Sequence, residues 1–140
     1  MKSNVQVRDL MTRSVRTLGR NDKLSTADSL MQSERIRHLP VLDEAGRLVG
    51  IVSQRDLFFS ALVQALGYGS TTHDRMLNRI LVKEVMIENV VTTTPETLVT
   101  DAARIMVDRK IGCLPVIEDE QLIGILSESD IVSAVAGGNL

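Results

Sequence analysis

Glycine, two aliphatic residues, serine, two further residues and aspartate occur in that order twice, as GIVSQRD at 50–56 and GILSESD at 124–130. A hydroxyl followed three residues later by a carboxylate resembles a capping box, in which each side chain satisfies an orphan N–H at a helix start. Capping leaves two features unexplained: the glycine three residues before each serine, and the choice of Asp over the commoner Glu or Gln at both box ends. A short carboxylate at a helix N-terminus also accepts two hydrogen bonds from a vicinal diol, and ribose offers such a diol. The pairs are Ser53 with Asp56 and Ser127 with Asp130.

His38, Ser53 and Asp56 are the nominal parts of a catalytic triad. The residue matching His38 in the second half is Cys113, so the general base is single while the supposed nucleophile is duplicated. Ser53 also lacks the glycines of a nucleophile elbow. Cys113, the single cysteine, stands between Gly112 and Leu114 and reads as a small buried residue rather than a reactive thiol. With only His38 and His73 beside it, no metal-ligand cluster is visible and no internal disulfide can form. The chain is expected to be no enzyme, with no catalytic cofactor and no metal.

Composition narrows the partners. Sixteen basic and eighteen acidic side chains give a formal charge of −2, which raises no long-range field to gather nucleic acid or an anionic membrane. Phe58, Phe59 and Tyr68 are the only aromatics and are not spaced as a stacking platform, so nucleic acid is not an expected partner. The start MKSNVQVRDLM has no apolar signal region, and no apolar stretch approaches the roughly 20 residues of a membrane span. A soluble cytoplasmic protein is expected.

The elements that must carry these boxes repeat as well. VRDLM at 7–11 answers VKEVM at 82–86, and HLPVL at 38–42 answers CLPVI at 113–117, each 75 residues later. From Gly50 and Gly124 onward the offset is 74, which puts a one-residue deletion in the turn between DEAGRLVG and EDEQLIG. Leu24, Ala27, Leu30 and Met31 recur at helical spacing, and Val99, Ala102, Ile105 and Met106 repeat them. LPVL and LVGIV read as strands around a DEAGR hairpin loop, and SQRDLFFSALVQAL and SESDIVSAVA as second helices. Each copy then runs strand, helix, strand, strand, helix, a mixed α/β (α+β) unit. About 60 residues bury little surface alone, so the two copies are expected to pack through their sheets.

This order, DLM, then HLPVLDE, then GIVS with Asp, resembles the cystathionine-β-synthase (CBS) domain, here a tandem pair or Bateman module spanning residues 5 to about 136. The expected division is 5–66 for the first β-α-β-β-α domain, 67–80 for a linker and 81–136 for the second, related by a pseudo-twofold axis. On this division no catalytic or DNA-binding domain is expected beside the pair.

The resemblance assigns the ribose contacts to the Ser and Asp of each box, and draws the base and phosphate contacts of each cleft from the other copy. The favoured cleft would combine Ser127, Glu128, Ser129 and Asp130 with Thr12, Arg13, Ser14 and Val15 and with Ile36, Arg37, His38 and Pro40. The weaker one would combine Ser53, Gln54, Arg55 and Asp56 with Ile87, Asn89 and Val90 and with Ile111, Gly112, Cys113 and Pro115. Val15, Ile36 and Ile125 would wall one adenine, and Ile51, Val90 and Ile111 the other, although each is also ordinary sheet core. Arg37 and His38, with Arg13 and Arg35 nearby, supply donors for phosphate. Gly112 and Cys113 supply none and Glu88 opposes an anion, so the ranking rests on charge unless Arg109 and Lys110 turn inward.

The resemblance implies a sensor whose regulatory ligand is an adenine nucleotide (AMP, ADP or ATP) or a related adenosine compound such as NAD or S-adenosylmethionine. It also implies a homodimer acting on an unidentified target protein, with Leu57, Phe58, Leu62, Ile131 and Val135 as the apolar dimer faces. The alternative is a ligand-free adaptor acting through dimerisation. In the unmatched segment 67–80, Gly67 and Gly69 are expected to break the preceding helix and STTHDR to form an exposed loop. Met76, Leu77 and Ile80 suggest a helical turn, either plain linker or a partner contact.

Overall fold

The computed structural model describes residues 4–68 and 77–140. In chain order its elements are α1 (Val7–Leu10), β1 (Leu18–Gly19), α2 (Leu24–Glu34), β2 (His38–Leu42), β3 (Leu48–Ser53) and α3 (Gln54–Tyr68). A 3-10 turn at Val82–Glu84 is followed by α4 (Val99–Arg109), β4 (Cys113–Glu118), β5 (Gln121–Ser127) and α5 (Glu128–Ala136). They form two compact units, and these are not simply the first and second halves of the chain. One unit is Arg16–Val90; the other joins Met1–Val15 to Val91–Leu140.

In the Arg16–Val90 unit β1 pairs parallel with β2, and β2 antiparallel with β3 in the register His38↔Ser53 to Val41↔Gly50. Val49 is then extra, a bulge before Leu42↔Leu48. Leu24, Ala27 and Met31 bring the inner face of α2 onto this sheet, into a core with Leu18, Leu39, Val41, Val52 and Leu57. Leu24 and Leu39 are fully buried, and such side chains contribute about 1.5–3 kcal/mol each.

The other unit repeats the plan. Thr93 bridges Val116 in parallel, β4 pairs antiparallel with β5, and the bulge recurs at Ile123, between Val116↔Gly124 and Ile117↔Leu122. The residue missing from this copy lies in the hairpin, as the offset change predicts. Asp43 to Arg47 joins Leu42 to Leu48 with Gly46 at φ 81, whereas Asp119 and Glu120 alone close the second hairpin at φ 52 and 65.

Neither α2 nor α4 has a side-chain cap. Their first amides are satisfied by backbone instead: Leu24 N–H donates to the Ile80 carbonyl at 2.9 Å, and Val99 N–H to the Val5 carbonyl at 2.8 Å. Val82 N–H to Asp22 and Lys83 N–H to Arg20 continue the first strap, and Val7 N–H to Thr97 and Arg8 N–H to Pro95 continue the second. Residues 80–87 thus complete the body that precedes them, and residues 5–12 complete the body built from 91–140.

Three expectations are corrected. The helix α3 runs through Gly67 to Tyr68, because one glycine costs a helix only about 1 kcal/mol; Gly69, STTHDR and Met76 lie outside the described residues. Leu77 and Ile80 face no partner but are buried in the first core. Of the supposed dimer faces, Leu57 is buried in its own unit and Ile131 packs on the second core, since each lies on the inner side of its helix. The exposed apolar residues there are Phe58, Phe59 and Leu62 on α3 and Val132 and Val135 on α5.

Candidate functional site

Both serine and aspartate boxes form. Ser127 caps α5: the Asp130 amide donates to its Oγ at 3.3 Å, and Asp130 Oδ2 accepts from the Ser127 amide at 2.9 Å and from Ser127 Oγ at 3.0 Å. At the start of α3 the Asp56 amide donates to Ser53 Oγ at 3.1 Å, and Asp56 Oδ2 accepts from the Ser53 amide at 3.1 Å. The next orphan amides, Glu128 and Gln54, donate to the carbonyls of Gly112 and Arg37, so each helix start is tied to the strand entering its own hairpin. Aspartate is long enough to close the box with one oxygen and short enough to leave the other outside it.

The unexplained glycines have a packing reason. A Cβ on Gly50 would meet Met86 Sδ at 2.5 Å; one on Gly124 would meet Met11 Sδ at 2.7 Å and the Thr12 carbonyl at 3.0 Å. The strap methionines lie over the bulged strands at these notches. There the next strap residue pairs with the strand: Thr12 with Ile125 through bonds of 2.9 and 3.0 Å, and Ile87 with Ile51 through bonds of 2.9 and 3.0 Å. Met11 and Met86 open the segments 11–15 and 86–90 that the resemblance brings to the Asp130 and Asp56 clefts; that each methionine fills a glycine notch is visible only in the structure.

Within Met1–Val15 and Val91–Leu140 the fold gathers Thr12, Arg13, Ser14 and Val15 with Ile125 and with Ser127, Glu128, Ser129 and Asp130; Ile111, Gly112, Cys113 and Pro115 belong to the same unit. Thr12 Oγ1 donates to Asp130 Oδ1 at 3.4 Å. Within Arg16–Val90 it gathers Ile51, Ser53, Gln54, Arg55 and Asp56 with Ile87, Asn89 and Val90, and Ile36, Arg37, His38 and Pro40 belong there too, His38 opposite Ser53. Pro40, Cys113 and Pro115 are buried, whereas Thr12, Arg13, Ser14, Arg37, Gln54, Arg55, Ile87 and Asn89 are exposed. Asp56 and Asp130 are half-buried.

Arg35 and Lys110 end α2 and α4 in the left-handed region, at φ 55 and 57, returning the Ile36 and Ile111 amides to Met31 and Met106. Burial pushes the Cys113 thiol up to about 12, with the Glu128 charge adding to the shift. It is a protonated core group, unsuited to nucleophilic chemistry. Among the described residues no cluster of three or more His, Cys, Asp or Glu could hold a metal ion, and no helix is long and apolar enough to cross a membrane.

Comparison with known proteins matches this arrangement twice. The family model described as CBS domain fits residues 7–62 and again 82–137. The chain spans about a quarter of the length of the curated relatives it matches first. One is a homoserine O-acetyltransferase of Methanohalophilus mahii, 32% identical over 135 residues that cover 96% of this chain and 25% of that protein. Among solved structures, Vibrio cholerae AcuB is 36% identical with a TM-score of 0.77, over 95% of this chain and 91% of that one. CBSX2, solved in complex with AMP, is 27% identical with a TM-score of 0.78, over 97% and 99%. The CBS domain pair of MJ0100, solved with 5′-methylthioadenosine and S-adenosyl-L-methionine, is 27% identical with a TM-score of 0.78, over 96% and 98%.

Proposed function

The chain belongs to the CBS domain family, with two copies of the domain, and on that premise we propose that it is a regulatory module whose ligand is an adenine nucleotide or a related adenosine compound. The observation that carries the reading is the repeated box itself: each copy holds a half-buried aspartate at a helix start with one oxygen turned away from the cap. Such a carboxylate accepts from a ribose diol in charge-assisted hydrogen bonds. The ligands of CBSX2 and of the MJ0100 pair, AMP and two adenosine derivatives, support the same class here.

In this reading Asp130 and Asp56 hold the sugar and the aliphatic residues beside each of them hold the base. The protein works without catalysis, in the cytoplasm, by passing ligand occupancy to a target protein. A ligand does this only through different affinity for two arrangements of the chain. A homodimer is part of the proposal, supported by Phe58, Phe59 and Leu62 on α3 and Val132 and Val135 on α5, apolar side chains that a monomer would leave in water. The same residues favour the second reading, an adaptor that acts through association alone.

A thermal-shift panel of AMP, ADP, ATP, NAD, GTP and S-adenosylmethionine tests the first reading, because a ligand that binds the native state raises apparent stability by mass action. Adenine compounds raise the melting temperature and GTP does so much less. Equal shifts for ATP and GTP refute the adenine assignment. No shift with any member favours the adaptor, whose mark is a dimer mass in light scattering.

A further inference from the structure

The two aspartates proposed to hold ribose differ in what already bonds to them. Among the described residues Asp130 has three donors: the Ser127 amide and Ser127 Oγ on Oδ2, at 2.9 and 3.0 Å, and Thr12 Oγ1 on Oδ1, at 3.4 Å. Asp56 has one among the described residues, the Ser53 amide on Oδ2 at 3.1 Å. The difference is written in the sequence at the strap position, because the residue that pairs with β3 where Thr12 pairs with β5 is Ile87, which has no side-chain donor.

An ionised carboxylate has about four acceptor positions. A vicinal diol needs two of them. Asp56 can take both ribose hydroxyls without giving up a protein partner. Asp130 has one position left, so a second hydroxyl must replace that of Thr12. That hydroxyl does not exchange as solvent does. It is tethered to a backbone paired in both directions with Ile125, one residue after the methionine seated at Gly124. At 3.4 Å the bond is long, so replacing it is possible, but the second ribose hydroxyl then gains only the difference between two similar partners.

We propose that Thr12 sets the sugar selectivity of the Asp130 site: this site accepts ligands with a single ribose hydroxyl nearly as well as intact ribose, whereas the Asp56 site, with Ile87 in the strap, requires the full 2′,3′-diol. The inference rests on the reading of both boxes as ribose sites. Thr12 is a positioning residue that acts through the Asp130 carboxylate.

The test is calorimetric titration with AMP and 2′-deoxy-AMP of two variants, Asp56→Ala to isolate the Asp130 site and Asp130→Ala to isolate the Asp56 site. Loss of the 2′-hydroxyl weakens binding at the Asp56 site by about tenfold or more, and at the Asp130 site by less than about threefold. In the Asp56→Ala background, Thr12→Ile raises the deoxy penalty to about tenfold, while Thr12→Ser, which keeps the hydroxyl, leaves it low. In the Asp130→Ala background, Ile87→Thr lowers the penalty. A merely structural role for Thr12 would move both affinities together and leave their ratio alone. Should one site alone bind AMP, the exchange at that site decides. Equal deoxy penalties at both sites, or a penalty untouched by the exchanges, overturn the inference while leaving the nucleotide reading standing. Absence of AMP binding by the unmodified protein overturns that reading and the inference with it.

Discussion

Met86 lies across Gly50 so closely that a Cβ there would sit 2.5 Å from its sulfur, and Met11 stands over Gly124 in the same way at 2.7 Å. Gly50→Ala and Gly124→Ala therefore force the strap off the strand and destabilise the protein by about 1–3 kcal/mol each. Chemical denaturation measures the loss. In a double-mutant cycle, Met86→Ala combined with Gly50→Ala is less destabilising than the two singles summed, since the clash disappears with the side chain. Strict additivity contradicts this packing.

The straps fix which body answers to which segment. Val7 is fully buried and lies in the core containing Leu114, Val116 and Leu126, over a hundred residues away in sequence. Val7→Ala costs about 2 kcal/mol, and the fall in amide hydrogen-exchange protection is concentrated in β4 and β5 rather than in β2 and β3. Loss confined to β2 and β3 contradicts the unit division.

Glu120 holds φ 65 at the second central position of a two-residue hairpin turn, a conformation that suits glycine. Glu120→Gly relieves the strain and raises stability by about 0.5–1 kcal/mol, read as a higher denaturation midpoint. A fall of similar size contradicts the turn geometry.

Cys113 is 5% exposed with its thiol pushed up to about 12 by burial. The folded protein therefore reacts with a thiol reagent at pH 8 far more slowly than the unfolded chain, whose cysteine has the ordinary value of about 8.5. Equal rates show an open thiol.

The boxes, the buried helix faces and the hairpin deletion were legible because each is local: a cap is written within four residues, a helix face within two turns, and a turn in its own length. Ser127 with Asp130, Leu24 with Ala27 and Met31, and the shortened Asp119–Glu120 turn all read directly. The strap exchange came only through the family resemblance, which put Thr12 with Asp130 and Ile87 with Asp56; the residues alone do not show it. Backbone carbonyls of Val5 and Ile80 cap α4 and α2, and a carbonyl carries no sequence signal. The bond from Thr12 to Asp130 spans 118 residues, a separation that only the resemblance bridges. Gly67 misled because glycine lowers helix propensity without forbidding helix, and Leu57 because an apolar helix residue does not declare which core it enters.

Ribonucleotide binding by the two aspartates is tested by calorimetric titration of AMP into the unmodified protein and into the Asp56→Ala/Asp130→Ala double variant. Hydrogen bonds to charged groups contribute roughly 1.5–3 kcal/mol each, so AMP binds saturably to the unmodified protein and at least about tenfold more weakly to the double variant. Because both substitutions remove a cap, at about 0.5–2 kcal/mol of stability each, the titration is run well below the melting range. AMP binding of equal affinity in the two proteins, or none in the unmodified one, refutes ribose recognition by Asp56 and Asp130.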